Sequence, residues 1–179
     1  QLGAELMVIH PGAKEIGDET HSPQRLDALR NAAPVIDDIG RSFGLVMALE
    51  NLPPGYMGDD MAMLRRIADE IDSPHLGLNF DLGHAQLVTA DPSLVARQAG
   101  PRMAGTHIHD NTGSGDEHLV PGYGVIDMDA ICRTLAEINY RGDFTLELME
   151  TVDAIRRQAT PEWLKKLHRW VALAGAGDN

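Results

Sequence analysis

Five short runs of apolar, β-favouring residues recur along the chain, each ending in polar side chains and each followed by a stretch with helical spacing. They read LMVIH (6–10), GLVMALEN (44–51), LGLNFD (76–81), MAGTHIHD (103–110) and FTLELM (144–149). Runs this continuously apolar suit strands covered on their faces by helices, not strands with one wet side. Between them, apolar periodicity predicts helices near 22–42, 59–72, 91–99, 127–138 and 152–173. In the second, Met63, Ile67 and Ile71 share a face, Asp59 or Asp60 stands where a cap is needed, and Ser73-Pro74 stops it. Strand and helix alternating in this way build parallel βα units.

The expected fold class is therefore α/β, a parallel (β/α) barrel of the TIM type, in a single domain over residues 1–179. A closed eight-stranded barrel takes about 250 residues. Five units in 179 residues correspond to the C-terminal five of the eight, with the N-terminal strands expected outside this chain. Such a part-barrel has two open strand edges, and a homo-oligomer is one way to cover them.

Fifteen Lys and Arg against 27 Asp and Glu give a formal charge of −12, a field that repels phosphate backbones and anionic lipid. Nucleic acid is not favoured as a partner; a small carbohydrate fits the field better. No apolar run is long enough for a bilayer, and the first residues lack a basic segment followed by an apolar one, so neither membrane anchor nor signal peptide is expected. A single cysteine, Cys132, makes no internal disulfide and suits a reducing compartment, with cytoplasm the expectation. There is no G-x-x-x-x-G-K, no G-x-S-x-G, no C-x-x-C, and no G-x-G-x-x-G after a strand. Nucleotide-driven and covalent serine or cysteine chemistry are thereby disfavoured.

What the strand ends carry is more informative. In parallel α/β folds the active site lies at the strand C-termini, where loops from different units converge. Glu50, Asp81, His107 and Glu147 end four separate strands. Three carboxylates and one imidazole are a mainly oxygen ligand set, suited to manganese, magnesium or cobalt and acceptable to zinc. A strand-end Glu taken alone is more often a solvated acid. Three converging carboxylates, however, repel one another unless a cation joins them, so one divalent metal ion is the expected cofactor.

Other polar residues surround this set. His10 ends the first strand, and Pro11-Gly12 turns the chain at once, presenting the imidazole at the rim. His84, three residues after Asp81, is placed to bind a substrate oxygen or a second metal. Strand alternation sends His107 and His109 to one face. The following loop carries Asp110, Asp116 and His118, and Gly113, Gly115, Gly122 and Gly124 are read as making it pliable over a ligand. His10, His84, His109 and His118 are the candidate substrate contacts. His21, His75 and His168 lie away from strand ends and read as structural or surface residues.

In order, VIHPG, ALENLP, FDLGHA, HIHDN, DEHLVPGYGVID and TLELM resemble the xylose-isomerase-like superfamily of sugar or sugar phosphate isomerases and epimerases, which also contains endonuclease IV. The resemblance spans nearly the whole chain. It implies that Glu50, Asp81, His107 and Glu147 bind the metal and that His84 contacts substrate, as in the epimerase branch. The nuclease branch implies additional metal ligands at His10, His84, Asp116 and His118. Two departures favour the epimerases: the nuclease D-T-C-H is Asp81-Leu82-Gly83-His84 here, and a DNA-binding rim should be basic.

The leading expectation is thus a metal-dependent isomerase or epimerase of a sugar, sugar phosphate, polyol or keto acid. It would work through a metal-stabilised enediolate, with Glu50 and Glu147 as proton-transferring carboxylates. Alternatives are a metal-dependent phosphodiesterase acting on abasic DNA, and a non-catalytic part-barrel that binds a sugar or a partner chain.

Overall fold

The computed structural model describes residues 3–12 and 21–175. Its five parallel strands are β1 (Leu6–Ile9), β2 (Val46–Glu50), β3 (Leu76–Asp81), β4 (Met103–Ile108) and β5 (Thr145–Leu146), each bonded to the next in chain order. Helix α1 (Pro23–Phe43) follows β1, and α2 (Met61–Ile71) follows β2. Two short helices, α3 (Leu82–Val88) and α4 (Pro92–Ala99), follow β3. Then α5 (Met128–Glu137) follows β4, and α6 (Val152–Gln158) and α7 (Pro161–Leu173) follow β5. Adjacent strands of L-residues twist with one hand, and here the sheet curls into a half-barrel, β1 approaching β4 across the concave side. The architecture is the partial TIM barrel that the strand and helix alternation predicts. Among the described residues no helix is long and apolar enough to cross a membrane.

Strand parity decides what each side chain meets. Met47, Leu49, Leu76, Leu78, Phe80 and Ile108 join the core with helix residues such as Leu64, Ile67, Val95, Ile131 and Leu135. The alternate residues, among them Val46, Asn79, Gly105, His107 and Thr145, line the hollow of the half-barrel. Glu50, Asp81 and Glu147 share the parity of Val46, Asn79 and Thr145, so the same pleat that buries the core turns them inward at the C-terminal rim. Register completes the alignment by pairing Glu50 with Asn79 and Asp81 with His107.

Three local features differ from the sequence expectation. The stretch after Asp81 is helical from Leu82, because the Asp81 side chain accepts a hydrogen bond from His84 N (2.7 Å) and caps α3. The helix expected over 152–173 is two helices, since Pro161 occupies a first-turn position and Thr160 caps a new start by accepting from Trp163 N (3.2 Å). The last strand pairs only over Thr145–Leu146, being an edge of the sheet, although Glu147 N still reaches Ile108 O (3.3 Å). For α2 the cap is Asp60, which accepts from Met63 N.

Candidate metal centre

Glu50, at the end of β2, is 2 % exposed, and Asp81, at the end of β3, is fully buried. Carboxylates are seldom buried without partners, and each has them. Asn79 Nδ2 donates to Glu50 Oε1 (2.8 Å) from inside β3. Asn51 extends the sheet with its side chain, donating from Nδ2 to Asp81 O (2.9 Å) and accepting from Asp81 N (2.8 Å). These bonds lock the two strand ends together before any ligand is considered.

His107 Nδ1 stands 2.6 Å from Glu50 Oε1, 3.1 Å from Glu147 Oε2 and 3.9 Å from Asp81 Oδ2. One ligand atom from each of Glu50, Asp81, His107 and Glu147 falls within 4.8 Å of all the others. The Nδ1 atom is nonetheless buried and forms no aligned hydrogen bond with any of them. Three carboxylates and one imidazole converging on one point form a mainly oxygen donor set, and such a set fits a divalent ion. Burial by itself lowers the His107 pKa, but the carboxylates of Glu50, Glu147 and Asp81 outweigh it and hold the pKa above its ordinary value. His10, with its side chain 66 % exposed, reaches the same site from the rim, its Nε2 lying 2.9 Å from Glu50 Oε2.

A second group adjoins the first. His84, His109, Asp116 and His118 also offer ligand atoms within 4.8 Å of one another. Asp116 lies between two imidazoles, His84 Nε2 and His118 Nε2, at 3.2 Å from each. The other ring nitrogens face backbone carbonyls: His84 Nδ1 lies 2.9 Å from Asn51 O, and His118 Nδ1 3.2 Å from Glu147 O. With Nδ1–H donating in both, each Nε2 is left to Asp116 or to a ligand. Burial opposes charge on His84, but the Asp116 hydrogen bond and the nearby Asp81 charge raise its pKa to about 9. Asp116 is held below the usual carboxylate range, burial being overcome by His84 and the other imidazoles.

His109 connects the groups. Its Nε2 lies 3.0 and 3.1 Å from the two Asp81 oxygens, while Nδ1 is buried without a hydrogen-bond partner. Its ring stacks on that of His118, centroids 3.8 Å apart. Gly83 is required by this packing, since a Cβ there would overlap the His109 ring.

The structure thus brings Glu50, Asp81, His107 and Glu147 together with His10, and sets His84, His109, Asp116 and His118 beside them. Outside both groups, His21 pairs with Asp59 and His75 with Leu45 O, while His168 lies in α7. Sequence reasoning misses Asn51 and Asn79. A polar residue inside an otherwise apolar strand was the readable sign for Asn79. The loop glycines do not share one role: a Cβ on Gly124 would overlap Asn111 O and Asp110 Oδ1, so this glycine permits close approach, whereas a Cβ on Gly115 would make only ordinary contact with Glu117.

Known proteins resemble the chain across most of its length. An uncharacterized protein of Methanocaldococcus jannaschii, MJ1311, is 31% identical over 177 residues, covering 96% of this chain and 60% of that protein. D-psicose 3-epimerase of Enterocloster bolteae is 27% identical over 131 residues, 73% of this chain and 40% of that enzyme. The crystal structure of a D-tagatose 3-epimerase-like protein superposes with a TM-score of 0.79 at 30% identity, covering 96% of this chain and 63% of that one. The chain therefore spans about three fifths of the length of the first relatives it matches. The family model described as xylose isomerase-like TIM barrel matches residues 1–171, and the chain belongs to that family.

Proposed function

We propose that the chain carries the metal-dependent site of a sugar isomerase or epimerase. The observation that carries this reading is the convergence of Glu50, Asp81, His107 and Glu147, one ligand atom from each lying within 4.8 Å of all the others. The likeness to a D-tagatose 3-epimerase-like structure and to a D-psicose 3-epimerase supports the substrate class, a keto sugar or its close relative.

Glu50, Asp81, His107 and Glu147 would hold the ion. When bound, it supplies positive charge beside the sugar's carbonyl and hydroxyl, which acidifies the adjoining C–H. Inverting one carbon requires proton removal from one face and return on the other, hence two groups. Glu50 is buried and fixed by Asn79, while the Glu147 side chain is 43% exposed. Glu147 is thus free to present an oxygen to the substrate carbon, with Glu50 serving the opposite face. His10 at the rim and His84 and His118 in the second group orient the sugar hydroxyls, whereas His109, fully buried, holds Asp81 and does not reach the substrate.

Proton exchange in deuterated water tests the assignment. Wild-type protein with manganese should wash deuterium into the carbon next to the carbonyl, and Glu147→Gln should abolish this with the metal still bound. Retained exchange in that variant would remove Glu147 from the chemistry.

A second reading is favoured by the second group: a hydrolytic site with more than one ion. Nδ1–H of His84 and His118 donating to backbone carbonyls is how metal-binding histidines are oriented, and His109 Nδ1 is buried without a partner. Elemental analysis decides. One ion per chain supports the isomerase reading; two or more of zinc support the hydrolytic one.

A further inference from the structure

Asp110 follows the H-x-H pair directly and faces the other way. It is fully buried, and neither group of candidate ligands includes it. Its carboxylate is met by four backbone amides: Asn111 N (2.9 Å) and Ile126 N (3.1 Å) donate to Oδ1, and Gly122 N (2.9 Å) and Gly124 N (3.0 Å) to Oδ2. Its own backbone pairs in both directions with Leu119 at 2.8 Å. The whole excursion from 111 to 126 is therefore wrapped around one side chain.

That excursion carries Asp116 and His118. His118 sits at φ +48°, in the left-handed region that non-glycine residues avoid, so the loop must hold it there. The tip is closed by Glu117, whose Oε2 accepts from Thr112 N (2.6 Å) and Thr112 Oγ1 (2.8 Å). A charged acceptor binds amides about twice as strongly as a neutral one. Val125 N also joins the arms by donating to Asn111 O (2.9 Å), but the Asp110 carboxylate gathers four amides, from both arms, at one point.

We infer that Asp110 is a positioning residue: its buried carboxylate fixes the 111–126 segment, and through it the placement of Asp116 and His118 against His84 and His109. The functional consequence rests on the reading that His84 and His118 orient the substrate. Substitution by Asn is nearly isosteric but turns an NH2 toward two amide donors, so it removes the latch without opening a cavity. Gly124→Ala attacks the same latch from its other side, because the new Cβ meets Asp110 Oδ1 and Asn111 O.

The test combines amide hydrogen exchange, imidazole NMR and kinetics on wild type, Asp110→Asn and Gly124→Ala. Both variants should speed exchange at Gly122 and Ile126 by about tenfold or more, while the amides of β2 to β4 keep their protection. The His118 ring resonances, shifted by stacking on His109, should move toward those of a free imidazole. With substrate, KM should rise about tenfold and kcat stay within about threefold, since Glu50 and Glu147 are untouched. Unchanged exchange and unchanged His118 resonances in both variants overturn the inference, as does protection lost equally throughout β2 to β4. A released loop with unchanged KM leaves Asp110 as the latch and overturns the reading that His118 orients the substrate.

Discussion

At the level of single residues, the candidate site depends on polar atoms that cannot be left unpaired. Asn79 is fully buried in the middle of β3 and donates to Glu50 Oε1, while its own Oδ1 has no hydrogen-bond partner. Asn79→Ala removes the donor from a buried carboxylate, at a cost of about 1–3 kcal/mol in the folded protein. It also lets Glu50 rotate, and outer contacts of this kind change metal affinity by roughly 10–100-fold. Titration calorimetry with manganese should show that loss, and an unchanged affinity would mean that Asn79 does not orient Glu50. Glu50, Asp81, His107 and Glu147 were legible as a set because each ends its own β-favouring run. Asn51 and Asn79 were not, because their partners are 29 and 30 residues away and become visible only with the register.

Elements were legible where one rule governs them and obscure where two compete. The apolar periods of α1, α2 and α5 and the continuous run of β3 have a single reading each. At Asp81 two roles coincide, since the residue ends β3 and its side chain caps α3, and a sequence read for strand ends stops one step early. At Thr160-Pro161 the apolar spacing continues through the break, but the Thr160 side chain caps a fresh helix start and Pro161 fits its first turn. That second start has consequences for the site: from α7, Trp163 Nε1 donates to Pro121 O (2.8 Å), and Trp170 packs against Gly122. Thr160→Ala deletes the cap and should cost about 1 kcal/mol. Chemical denaturation reads this as a lower midpoint with the same slope; an unmoved midpoint would show that contacts from α7 such as Trp163, Arg169 and Trp170, and not the cap, hold it.

On the scale of the whole molecule, the strand order could be anticipated because short parallel units place successive strands side by side. The curl that makes Glu50 and Glu147 neighbours could not, since it accumulates from the twist of every strand pair. Folding gathers three carboxylates at one rim, and a shared cation would relieve their mutual repulsion. An ion bound to the folded state and not to the unfolded chain stabilises by about 2.7 kcal/mol at a hundred times its dissociation constant. For a domain of this size that corresponds to a rise in Tm of roughly 5–11 °C. Calorimetry of chelator-treated protein, titrated with manganese, should show this rise saturating with ion concentration. His107→Ala should abolish it, whereas His118→Ala should leave most of it, because His118 belongs to the adjoining group. If manganese moves Tm as much in His107→Ala as in wild type, the ion is held elsewhere and the four strand ends are not its site.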